Sequence, residues 1–260
     1  MAYQQPQTTG NALIEKAQSY VDNPDQVSEF ELKRLEREAD QLAKVDAATA
    51  STVKAAIAVC RWQPDEVEYW TNNALKNKRS FVTLANAAVN YRLTGNLTKS
   101  VELTTESYRM VAGDAESAEN AFRSLLQTGR YQQALDLVQD LANKPESLLK
   151  AIRAAEYTLQ TLKDLGIDPD EVVRKIEVGA RVAMEQHARI ESISMHPIND
   201  HEDGMRLVAA LNFPGDIEKE IALEDALVAK FYDDETWDPM KFNVEFHYMT
   251  NDELLTHRSA

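Results

Sequence analysis

The 260-residue chain carries 28 Lys and Arg against 43 Asp and Glu, for a formal net charge of −15 and a pI near 4.8. At 43% hydrophobic and 27% charged it has the composition of a folded protein with a sizeable core, so disorder of the whole chain is excluded. Its 8 Gly are scattered singly and Cys60 is the one cysteine, which rules out a phosphate-cradling glycine loop, an intramolecular disulfide and a cysteine zinc cluster.

The amino terminus, MAYQQPQTTGN, has no basic region followed by an apolar stretch. The longest apolar runs, Ala55–Cys60 and Leu207–Leu211, are too short to span a bilayer. The expectation is a cytoplasmic chain without a membrane partner. Residues 1–10, rich in Gln, Thr and Pro, are predicted to form a disordered tail. A first helix is predicted over Asn11–Asp22, and Asn23-Pro24 breaks it. The Ser28 to Glu31 spacing is that of a capping box opening a second helix that runs to about Val45. Further helices are predicted at Ser51–Trp62, Asp65–Lys76, Ser80–Leu93, Leu97–Val111, Ala115–Thr128, Tyr131–Asn143, Glu146–Leu165 and Pro169–Ile190. Links this short make neighbouring helices antiparallel, as in stacked helical hairpins. Lys76, Lys78 and Arg79 read as a basic turn after a helix end. Leu148, Ile152, Ala155, Leu159 and Leu162 form one apolar stripe, and Val172, Ile176, Gly179, Ala183 and Ile190 form another in which Gly179 permits a close crossing. Asp168-Pro169-Asp170-Glu171 is a helix start and not a metal site.

Within this array the chain repeats itself. Arg92–Leu97 falls on Leu126–Tyr131 at a displacement of 34 residues. Asn86 and Ala87 then fall on Asn120 and Ala121, and Ser100, Val101 and Leu103 on Ala134, Leu135 and Leu137. A helical period of 34 with Gly129 at the turn, Tyr131 and Leu135 between helices and a small Ala134 at the crossing resembles the tetratricopeptide repeat family. Two units match, a third around Arg61 and Val67 lacks the turn glycine, and the pattern fails at Lys163, so the resemblance covers about residues 53–147. It implies stacked hairpins with a groove lined by the first helices, binding a peptide or protein. Asn86, Asn90, Asn120 and Arg123 are the groove candidates, although polar residues on a solvated helix face need no partner.

After residue 189 the period changes. Residues 190–260 hold 5 Lys and Arg against 16 Asp and Glu, net −11. A weak strand is predicted at Glu191–His196, a central strand covered on both faces at Met205–Phe213, a helix from Gly215-Asp216 to Tyr232, and an alternating strand at Lys241–Tyr248. The predicted fold class is therefore mainly α: a tetratricopeptide-like array of antiparallel hairpins over 11–189, followed by a small acidic α+β unit over 190–260.

Candidates for chemistry are few. The run from His196 through Asp200, His201, Glu202 and Asp203 to Gly204 is dense in potential ligands but has no metal-binding spacing, and it reads first as a polar loop between strands. His187 is expected to pack on an apolar stripe, Cys60 to be buried and inert, and Trp62, Tyr69 and Trp70 to fill a hairpin core, while Trp237 is the candidate exposed interface anchor. No catalytic residue, metal or cofactor is assigned. The acidic field repels phosphate, so nucleic acid is not expected and a basic protein is the favoured partner. The expectation is a non-enzymatic interaction protein of adaptor, chaperone or immunity type. The alternatives are an inhibitor of a basic nuclease or toxin, and a metal-assisted hydrolase using the His196–Asp203 loop.

Overall fold

In a computed structural model of the chain, the described residues are 6–200, 204–232, 238–250 and 253. The helices are α1 (Pro6–Asp22), α2 (Glu29–Leu42), α3 (Ala47–Cys60), α4 (Pro64–Asn77), α5 (Phe81–Leu93), α6 (Leu97–Met110), α7 (Ala115–Gln127), α8 (Tyr131–Val138), α9 (Glu146–Asp164), α10 (Pro169–Glu185) and α11 (Ile217–Phe231). The strands are β1 (Ser192–Asp200), β2 (Gly204–Pro214) and β3 (Phe242–Met249). The mainly helical class with a small carboxy-terminal sheet is thus observed. Helix α1 starts earlier than expected, because Pro6 suits a first helical turn, so residues 6–10 are not part of a tail. The capping box at α2 is complete: Glu31 N–H donates to Ser28 Oγ (3.3 Å), and Ser28 N–H donates to Glu31 Oε2 (2.9 Å).

The chain divides into two units, Met1–Thr94 with Glu102–Met110, and Gly95–Val101 with Val111–Ala260. In the first, α1 packs on α2 and α3, α2 on α3, α3 on α4 and α5, and α4 on α5. That is the neighbour pattern of stacked hairpins, in which each first helix lies against the whole of the preceding hairpin. Helix α3 is therefore enclosed, and it is apolar on all sides: Ala48, Ala50, Val53, Ala55, Ile57, Ala58 and Val59 are buried. In the second unit α7, α8 and α9 repeat the pattern.

Several helix ends carry the turn in the left-handed region, among them Trp62 (φ 52°), Gly95 (φ 76°), Gly129 (φ 76°) and Gly166 (φ 66°). At Trp62, Gly129 and Gly166 the same pair of capping bonds forms. The left-handed residue donates to the carbonyl three residues back, and its successor donates to the carbonyl five back, as in Gln63 N–H to Ala58 O (2.9 Å), Arg130 to Leu125 (3.0 Å) and Ile167 to Leu162 (2.9 Å). The hairpin α3/α4 lacks a turn glycine but keeps the turn, with Trp62 in the strained position. His187 (φ 54°) ends α10 in the same way and is exposed, not packed on the stripe as expected, because the helix stops at Glu185.

The sheet order is β1-β2-β3, with β1 antiparallel and β3 parallel to β2. By register, Leu207, Ala209, Leu211 and Phe213 share a face with Phe242, Val244 and Phe246, and all are buried. The other face is only partly covered: Val208 is buried, while Ala210 and Asn212 are half-buried. The buried face rests on α10, where a Cβ at Gly179 would lie 2.9 Å from Leu211 Cδ2 and 3.0 Å from Val244 Cγ1. The close crossing anticipated at Gly179 is thus made with a sheet. This packing puts the sheet in one unit with α7–α10.

Gly129→Ala should cost roughly 2–4 kcal/mol, because the new methyl meets Val172 and Ile176 of α10 and the backbone is left-handed. His187→Gly relieves the same backbone penalty at an exposed site and should stabilise by about 1 kcal/mol. Shifts of the urea midpoint in opposite directions at constant slope check both.

Candidate binding site

The stripe on α9 is not fully covered. Leu148, Ala155 and Leu162 are buried, whereas Ile152 and Leu159 are half-exposed. Leu159 belongs to a recess of about 650 Å³ between α8, α9 and the corner that starts α10. Leu135, Leu159, Leu162 and Ile167 supply its apolar surfaces, and Gln132, Glu156, Gln160, Lys163 and Asp168 supply polar ones. Its position follows from the turns. The Gly129 turn is closed by Val172 and Ile176 of α10, but a Cβ at Gly166 would meet nothing within 4 Å, so the chain corner at the end of α9 stays open. An apolar hollow of this volume with scattered donors and acceptors is the usual form of a ligand or peptide site.

The first unit has a recess in the equivalent place, between α2 and α4 above the end of α3. It consists of two adjoining hollows of about 760 and 200 Å³ that share Glu36, Arg61 and Gln63. Charges tie this one together from within. Arg61 Nη2 lies 2.7 Å from Glu29 Oε1 and 3.1 Å from Glu36 Oε2, and its Nε donates to Glu29 Oε2 (3.2 Å). The guanidinium holds the Glu29 carboxyl below its ordinary range. Lys54 pairs with Asp40 (2.6 Å) and sits 4.4 Å from the centre of the Trp70 ring. Arg61 and Lys54, two of the three cations that line these hollows, are engaged, so this recess ties helices together and the α8–α9 recess is the candidate site.

Of the four groove candidates, Asn90 is placed differently from expectation. Asn90 is buried, and its Nδ2 donates to Thr71 Oγ1 (3.3 Å), joining α5 to α4; the polar position is used in packing, because α5 is enclosed by α3 and α4. Asn86 is half-buried and donates to Val82 O (2.8 Å). These two belong to the first unit, whereas Asn120 and Arg123 are exposed on α7 of the second. Arg123 pairs with Glu119 (2.8 Å), which also accepts from Ser147 Oγ (2.9 Å). Trp237 lies outside the described residues. Tyr69 is exposed and stacks edge-on against Trp70 at 4.8 Å, so it does not fill a hairpin core, and Cys60 is half-buried.

The presumed loop after His196 is mostly strand. Residues His196–Asp200 pair with Gly204–Val208, while His201, Glu202 and Asp203 lie outside the described residues. His196 Nε2 is 2.8 Å from Ser194 Oγ, and Asn212 Nδ2 donates to Ser192 Oγ and Ser194 Oγ, each at 3.2 Å. Among the described residues no group of three His, Cys, Asp or Glu is placed to hold a metal, and no helix is long and apolar enough to cross a membrane.

Both outer strands of the sheet have their edges blunted. Pro197 lies in β1, and α11 covers β3: Glu220 Oε2 accepts from Tyr248 N–H (2.7 Å), and Glu224 accepts from Phe246 N–H. Burial pushes the Glu224 carboxyl up to about 7, and the charges of Glu245 and Glu220 add to the shift. Comparison of the chain with protein-family models, curated proteins and solved structures finds no match.

A carboxyl raised by folding stabilises the fold fully below the unfolded value of about 4.5, and that contribution is lost as pH rises through 7. Stability should therefore fall by on the order of 2 kcal/mol between pH 4.5 and 7.5, after allowance for solvent screening. Glu224→Gln should flatten this slope, as read by urea unfolding across that range.

Proposed function

We propose that the protein is a non-enzymatic interaction module of tetratricopeptide-like hairpins that binds a peptide segment of another protein in the α8–α9 recess. The observation that carries this reading is the half-exposed Leu159 beside Leu135, at the open Gly166 corner. Two neighbouring apolar contacts can seat the side chains of a short peptide. The amide oxygens of Gln132 and Gln160, whose nitrogens donate to Asp136 (2.8 Å) and Asp164 (2.6 Å), can accept from its backbone, and the carboxylates of Glu156 and Asp168 favour basic residues beside the apolar ones. The stacked hairpins support the reading by holding both walls on helices, which keeps the recess shaped before binding.

An inhibitor of a basic nuclease or toxin is the second reading. It is favoured by the net −11 of residues 190–260, which would speed encounter with a cationic surface.

Selection of a random peptide library on the full chain tests the first reading. Enriched peptides should share paired apolar residues next to Lys or Arg, and they should bind the Leu159→Glu variant about tenfold more weakly or worse. A library without enrichment, or peptides that bind the variant equally, would contradict it.

A further inference from the structure

Helix α11 is apolar on two sides. Leu223, Leu227 and Phe231 are buried, and the helix packs on α10 and β3. Beside that face runs a second stripe, Ile217, Ile221, Val228 and Tyr232, at spacings of four, seven and four. These residues are 52%, 55%, 49% and 83% exposed, along roughly 22 Å of helix. A soluble helix gains nothing from four large apolar side chains in line with water.

The charges around the stripe are sorted. Both lysines of α11 are turned to α10: Lys230 pairs with Glu185 (3.1 Å), and Lys219 Nζ donates to the carbonyl of Gln186. The acids flank the stripe instead. Glu218 and Asp225 are exposed along one side, and Glu220 and Glu224 follow the other, where they hold the β3 edge. A ligand on this surface meets apolar side chains between carboxylates, with the lysines facing away.

We infer that the outer face of α11 is a docking surface for a basic amphipathic helix, one that presents apolar residues at helical spacing with Lys or Arg on both flanks. Charge decides between this and other occupants. Two copies of the chain meeting through α11 would set Glu218 and Asp225 of each against those of the other, and an anionic lipid surface would face the same repulsion. A basic helix turns those carboxylates into attraction while covering the stripe. The surface is distinct from the α8–α9 recess, and the inference holds or fails independently of it.

The test is a fluorescence titration of the full chain with a labelled helical peptide of Leu and Lys in amphipathic order, beside a peptide of the same composition in scrambled order. The ordered peptide should bind at least about tenfold more tightly than the scrambled one, and it should weaken with added salt. The double variant Ile221→Ser, Val228→Ser, with circular dichroism confirming the fold, should lose about tenfold or more of that affinity. Equal binding of the two peptides, or undiminished binding by the double variant, overturns the inference. So does self-association of the wild-type chain in sedimentation that the double variant abolishes, which would assign the stripe to a second copy.

Discussion

Helix α10 can lie where it does only because three positions, two that face it and one within it, carry no side chain. A Cβ at Gly95 would stand 2.6 Å from the carbonyl oxygen of Ala180, one at Gly129 would stand 3.0 Å from Val172, and one at Gly179 would press on Leu211 and Val244. Those contacts come from the start of α6, the α7/α8 turn and the sheet, so one helix sets the position of all three. Its charged groups join in. Arg130 Nη2 donates to Glu177 (2.9 Å) and to Thr98 Oγ1 (2.9 Å), while Lys175, fully buried, pairs with Glu171 at 2.5 Å. The sheet, at about 70 residues with its helix, is near the lower limit for independent folding. Burial against α10 supplies the rest of its core.

The repeat shows how much of this the sequence displays. Gly95 and Gly129 are visible because glycine is the residue that enters the left-handed region without penalty, and their separation of 34 residues is plain. The hairpins on either side are hidden for different reasons. At Trp62 a bulky side chain holds the left-handed position, one residue away from where the glycine spacing points, and at Gly166 the first helix of the hairpin is longer, so the turn falls 37 residues after Gly129. Capping bonds reveal what residue identity does not. His187 is a similar case: its φ depends on where α10 stops, and the apolar period continues past that point to Ile190.

The candidate site is only partly legible. Leu159 stands out as a member of the α9 stripe, but nothing in the spacing says that it is left half-uncovered, as Ile152 also is; for Leu159 that depends on the open corner at Gly166. Asn90 reads as a surface residue because asparagine usually is one, yet enclosure of α5 on two sides turns it inward to Thr71. The acidity of the carboxy-terminal residues is evident from composition. Its sorting on α11, with lysines toward α10 and carboxylates around an exposed apolar stripe, is a property of the helix in place.

If α10 is the element on which its unit depends, its amides are released only by global opening of that unit. Native-state hydrogen exchange of the full chain measures this directly. The account predicts that Ile176, Gly179, Ala180 and Ala183 exchange among the slowest residues of their unit, with the same denaturant dependence as β2. Faster exchange of α10 through a local opening, with β2 and α7 still protected, would contradict it.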